Sequence, residues 1–139
     1  MTYRQLATMS IKQHEGLRLK AYQDTVGVWT IGYGTNLQEL EITPMLAEDL
    51  LQRGLDTAIN DAETWAGEDT WDALSATRKA VLIDMAYNMG LPTLMQFKNT
   101  RRHLQAGEYD DVAEHMLDSK WARQVGQRAQ TLAQQMREG

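Results

Sequence analysis

The chain of 139 residues contains no cysteine. That excludes a disulfide framework, a thiolate metal site and a cysteine nucleophile. It leaves the redox compartment open, because a chain without thiols tolerates cytoplasm and periplasm equally. Proline is scarce, with 2 residues against 10 glycines, and hydrophobic residues reach 42%, so the composition is globular rather than disordered, collagen-like or low-complexity. No apolar run approaches the ~18–20 residues that span a bilayer, and the opening Met1-Thr2-Tyr3-Arg4-Gln5 makes no signal-peptide pattern. The expectation is a single domain over residues 1–139, soluble and monomeric, made in the cytoplasm and inserting in no membrane. Work beyond the cytoplasm would then need another protein to open the way.

Basic residues are in the minority, and the imbalance is uneven. Up to Thr77 there are 5 basic and 12 acidic residues, a net of −7; from Arg78 onward there are 9 and 7, a net of +2, which together give the −5 of the whole chain. Such a balance argues against sequence-independent nucleic-acid binding, which depends on neutralising phosphates. The cluster Lys98, Arg101 and Arg102 reads as a solvated helix face.

What is present is a succession of well-punctuated elements. Thr2 and Gln5 form a capping-box pattern, with Tyr3, Leu6, Ala7 and Ile11 at helical spacing up to Glu15, where Gly16 can end the helix. From Leu17 the period changes to two, and Val28-Trp29-Thr30-Ile31 follows a turn, which predicts a β-hairpin. Gly32 and Gly34 bracket Tyr33 in a tight segment. Thr43-Pro44 then caps a long stripe comprising Ala47, Leu50, Leu51, Gly54, Leu55, Ala58, Ile59 and Ala62. At ~1.5 Å per residue its roughly 22 residues make a rod of about 33 Å. Beyond it, Ser75 caps a helix with Val81, Leu82, Met85, Ala86 and Met89 inward, ending at Gly90 before Pro92. Further helices are predicted at about 93–107, 109–117 and 127–137. The fold class is therefore α+β and mainly α: a small hairpin lobe, a long connecting helix, and a helical C-terminal lobe closed by the first helix or the last.

The chemistry concentrates between Glu15 and Asn36. A carboxyl at a helix C-terminus sits where the negative end of the dipole favours the protonated acid. A three-residue loop Thr25-Val26-Gly27, with Gly27 left-handed, pairs Asp24 with Val28 and Tyr22 with Thr30, so Asp24 and Thr30 share a face. Two carboxyls able to straddle a bond suit glycoside hydrolysis, in which one protonates the leaving oxygen and the other activates water or forms a covalent intermediate.

The order Glu15, Asp24, Thr30, within EGLRLKAYQDT and TIGYG, resembles the catalytic pattern of the phage-type lysozymes, the endolysin muramidases of glycoside hydrolase family 24. The resemblance continues through Ser75-Ala76-Thr77-Arg78, Asn88-Met89-Gly90, Phe97-Lys98-Asn99-Thr100, Trp121, Gln124 and Arg128, and so covers nearly the whole chain. It implies the two-lobed lysozyme fold and hydrolysis of the β-1,4 bond between N-acetylmuramic acid and N-acetylglucosamine in peptidoglycan, for host lysis. Glu15 would be the proton donor, Asp24 the carboxylate activating water, and Thr30 the residue positioning it; no metal or cofactor is implied. The family's substrate-contact positions fall on Asn36, Tyr87, Thr100 and His115. Tyr87 reads equally as a packed aromatic, and His115 also as a solvated helix-face residue. Arg128 matches an arginine that closes over the glutamate from the C-terminal lobe and borders the cleft.

Thr35 and Asn36 depart from the family's usual histidine and apolar residue, and the short segment from Gly34 to Thr43 implies a lost strand or loop. Two other readings are a lytic transglycosylase, which would leave Asp24 and Thr30 without a role, and a non-catalytic glycan-binding module.

Overall fold

The computed structural model describes all 139 residues. Eleven elements follow in order: α1 (Tyr3–Glu15), β1 (Arg18–Gln23), β2 (Trp29–Gly32), β3 (Thr35–Asn36), α2 (Pro44–Ala66), α3 (Glu68–Ala73), α4 (Ala76–Leu94), α5 (Lys98–Gln105), α6 (Tyr109–Leu117), α7 (Lys120–Val125) and α8 (Gln127–Glu138). They divide into two compact units, Met1–Ala47 and Glu48–Gly139, with the boundary inside α2. The architecture is the mainly helical α+β class expected. No helix is long and apolar enough to cross a membrane.

In the N-terminal unit α1 begins as predicted. Thr2 accepts from the Gln5 backbone N–H, while the Gln5 side chain accepts from the Thr2 N–H, completing the capping box. Helix α1 buries no side chain, however, and its apolar positions Leu6 and Ile11 stay exposed. The sheet is antiparallel in the order β1-β2-β3, pairing Tyr22 with Thr30 and Thr30 with Asn36. The two-residue β3 lies in the short segment after Gly34, so the sheet keeps a third strand where the length of that segment implies a lost strand or loop. Between Arg18 and Tyr22 the register shifts, which disrupts the period-two pattern read from Leu17 onward.

The C-terminal unit holds the buried apolar core. Helix α2 starts at the Thr43 cap, whose hydroxyl accepts from Leu46 N–H, and buries Ala58, Ala62, Trp65 and Ala66 along its later turns. Helix α4 buries Val81, Leu82, Met85 and Ala86 as expected, and is broken at Gly90, where φ is +78°. Pro92 then lies in a short helical continuation rather than beyond the helix, so the predicted helix over 93–107 is cut down to α5 at Lys98. The last helix supplies the closure: α8 packs on α4, α6 and α7 and buries Ala129, Leu132, Ala133 and Met136. Arg78 ties the start of α4 to the end of α8 by donating to the carbonyls of Met136 and Arg137.

Candidate active site

Glu15 is the last residue of α1, and Gly16 ends the helix at φ +71°, its N–H returning to the Lys12 carbonyl. The Glu15 side chain folds against the turn between β2 and β3. A Cβ placed on Gly34 would lie 2.6 Å from Glu15 Oε2, so only a residue without a side chain admits the carboxylate there. The φ of Gly34, +81°, makes the same demand on the backbone. Lys12 Nζ stands 5.4 Å from the centre of the neighbouring Tyr33 ring, a second contact between the last turn of α1 and this turn.

Asp24 lies at the hairpin loop, and the three-residue turn forms as its sequence predicts. Asp24 N–H donates to the Val28 carbonyl, Gly27 takes φ +84°, and the strands continue through Gln23 with Trp29 and Tyr22 with Thr30. The carboxylate is fixed by the loop it closes: Oδ1 accepts from Val26 N–H at 3.0 Å and from Val28 N–H at 2.8 Å. Thr30 is the buried residue of this unit, at 5% exposure, and its hydroxyl donates to the Val28 carbonyl at 2.9 Å. Val28 thus links the two, with its N–H on Asp24 and its carbonyl on Thr30. Asn36 is the ladder partner of Thr30 on β3, with Oδ1 accepting from Gln38 N–H.

The remaining candidates belong to the C-terminal unit. Thr100, which is buried, and His115 line one groove of about 700 Å³ together with Phe97, Trp121 and Gln124. Trp121 is locked there by its Nε1, which donates to Asn88 Oδ1 at 2.8 Å. Tyr87 and Arg128 are not in its lining. The Tyr87 ring instead lies across α2 at Gly54, where an added Cβ would meet Cε2 at 2.8 Å. Arg128 donates through Nε and Nη2 to one oxygen of Asp84, at 2.8 and 2.5 Å. Sequence reasoning marked Gly34 only as a tight turn and missed its fit against Glu15. The signal was the paired glycines around Tyr33, but the contact joins residues 19 positions apart and is not local.

The family model described as phage lysozyme matches residues 12–138, which includes every one of these side chains. The chain belongs to the phage lysozyme family. It is a phage-lysozyme-family glycoside hydrolase, and that family membership implies peptidoglycan as the substrate. Among curated relatives it is 25% identical to a probable T4-type lysozyme 2 of Dictyostelium discoideum, with 86% of each chain covered. It is 26% identical to an endolysin of Acyrthosiphon pisum secondary endosymbiont phage 1, covering 81% of this chain and 75% of that protein. It also matches the pre-baseplate central spike protein of Enterobacteria phage T4 at 26% identity, covering 86% of this chain but 25% of the spike protein.

Proposed function

We propose that residues 1–139 act as one catalytic domain, a muramidase hydrolysing the β-1,4 bond between N-acetylmuramic acid and N-acetylglucosamine. Glu15 protonates the departing glycosidic oxygen, and Asp24 takes a proton from the water that attacks the anomeric carbon. The observation that carries this reading is the hydrogen bonding around Val28. With Oδ1 of Asp24 committed to two amides, Oδ2 receives the proton. With the Thr30 hydroxyl hydrogen committed to a carbonyl, its oxygen accepts from the water. A water donating to both Thr30 and Asp24 turns its lone pair outward, toward the sugar. Thr100 and His115 contact the glycan from the groove that they line, and Asn36, Tyr87 and Arg128 are further contacts.

The biological setting follows the endolysin relative, which the chain covers over most of its length: host lysis, with the enzyme reaching the wall after another protein permeabilises the membrane. A virion-borne role, as the spike-protein relative suggests, is the second reading; detection in purified particles rather than in the lysing cell would favour it.

Digestion of purified peptidoglycan followed by product analysis tests the reaction. A reducing N-acetylmuramic acid end supports hydrolysis, an anhydro end indicates a transglycosylase, and intact glycan indicates a binding module. Glu15→Gln abolishes cleavage while leaving the thermal midpoint and wall binding unchanged; near-wild-type cleavage would remove the general-acid role.

A further inference from the structure

A cluster outside the groove remains unused by this chemistry. His103 lies near the end of α5, Glu108 is the N-cap of α6 and Asp111 is in its first turn. The imidazole Nδ1 stands 3.3 Å from Glu108 Oε1 and 3.9 Å from Asp111 Oδ2, and the three ligand atoms all lie within 4.8 Å of one another. The pieces that carry them are fixed. Glu108 N–H donates to the His103 carbonyl at 2.9 Å, which clasps the two backbones across the turn at Gly107. The His103 ring is stacked on His115, with centroids 4.9 Å apart and planes 24° apart, which holds its orientation with Nδ1 toward the carboxylates.

We propose that His103, Glu108 and Asp111 form a binding site for a zinc-type divalent transition metal. Metal–ligand bonds of about 2.0–2.2 Å in tetrahedral geometry put neighbouring ligand atoms roughly 3.3–3.6 Å apart. The His103 to Glu108 separation already has that length. Asp111 needs a contraction of under an ångström toward Nδ1, and the two carboxylate oxygens, within 4.8 Å of each other, must also draw in; the half-exposed Glu108 and Asp111 side chains make both adjustments by rotation about χ1 and χ2. One imidazole nitrogen and two carboxylate oxygens suit zinc and its neighbours in the first transition row, whereas calcium and magnesium take oxygen ligands alone. The fourth position faces solvent and takes water. A bound ion would staple the end of α5 to the start of α6. Because His103 stacks on His115, it would also stiffen one wall of the groove.

Titration of the full-length protein with zinc chloride alone, followed by isothermal calorimetry, tests the site. One equivalent binds saturably below millimolar zinc, and the thermal midpoint rises with zinc concentration. Loss of a metal's outer-shell partner alone costs about 10–100-fold in affinity, so His103→Asn and Asp111→Asn each weaken binding at least tenfold. Circular dichroism without zinc verifies that both variants fold, and Asp111→Asn, at an exposed position, carries the test if His103→Asn does not. Absence of saturable binding, or equal affinity in wild type and variants, overturns the site. The readout is metal binding rather than cleavage, so its failure leaves the glycan chemistry untouched.

Discussion

Every apolar side chain that the protein buries lies between Ala58 and Met136, whereas the unit from Met1 to Ala47 buries only Thr30. The C-terminal unit is held by side-chain packing. The N-terminal unit is held by a capping box, a carboxylate closing its own turn, and a three-stranded ladder. Precision has a different source in each unit. Packing sets a shape to within a rotamer, but a hydrogen bond also says which oxygen is taken and which is left. Asp24 and Thr30, the proposed base and the proposed water-positioning residue, are placed by hydrogen bonds through one residue, Val28.

That contrast predicts opposite consequences for substitutions in the two units. Asp24→Asn keeps an oxygen to accept from Val26 and Val28 but removes the proposed base, so peptidoglycan cleavage falls about 10²–10⁴-fold while the thermal midpoint hardly moves. A variant that loses stability in step with activity would show that the hairpin is held by the charge. Leu82→Ala does the reverse. At 0% exposure it leaves a cavity that costs about 2–5 kcal/mol of stability, read by chemical denaturation. The matched control, Leu19→Ala on the 80% exposed β1 position, changes stability by less than about 0.5 kcal/mol. A comparable loss at both positions would dissolve the distinction between the units.

Gly34→Ala falls between these cases. Its Cβ occupies the space of the Glu15 carboxylate, and a residue with a side chain at φ +81° is strained by about 1 kcal/mol. The expected result is a small drop in thermal midpoint with a disproportionate loss of cleavage, at least tenfold. Gly27→Ala, strained at φ +84° but with nothing within 4 Å of its Cβ, should show the stability loss without the activity loss. Equal activity in the two variants would mean that backbone strain, not the displaced carboxylate, governs the effect.

The parts of this arrangement that the sequence reveals are those set within a few residues. The Thr2, Thr43 and Ser75 caps, the three-residue hairpin loop and the break at Gly90 all depend on local hydrogen bonding or a local φ, and each was legible. Helices α3 and α7 have six residues each and β3 has two, too few for periodicity to register. The apolar stripe of α1 was legible as a helix, yet periodicity alone does not say whether a stripe is buried, and this one is not. Within the candidate site, Glu15, Asp24 and Thr30 stood out through their motif. Gly34 against Glu15 and Arg128 on Asp84 join distant positions, so only the folded chain displays them.

The Arg128 pair gives the smallest expected effect and the sharpest test of whether polar contacts do different work in the two units. Both of its hydrogen bonds reach a single Asp84 oxygen, and each side chain is about 40% exposed, at 41% and 39%. An ion pair in that setting contributes about 0–1 kcal/mol, because solvent screens the attraction and the side chains, the long Arg128 above all, lose freedom in forming it. A double-mutant cycle with Arg128→Ala and Asp84→Ala should therefore return a coupling energy below about 1 kcal/mol. If Arg128 also contacts the glycan, Arg128→Ala lowers cleavage well beyond its effect on stability, and Asp84→Ala, which frees the guanidinium, does not. Equal losses in both single variants would reduce Arg128 to a clamp between α4 and α8. A coupling energy of several kcal/mol would place a polar contact of the C-terminal unit on a par with its core, and the division between a packed unit and a hydrogen-bonded one would fail there first.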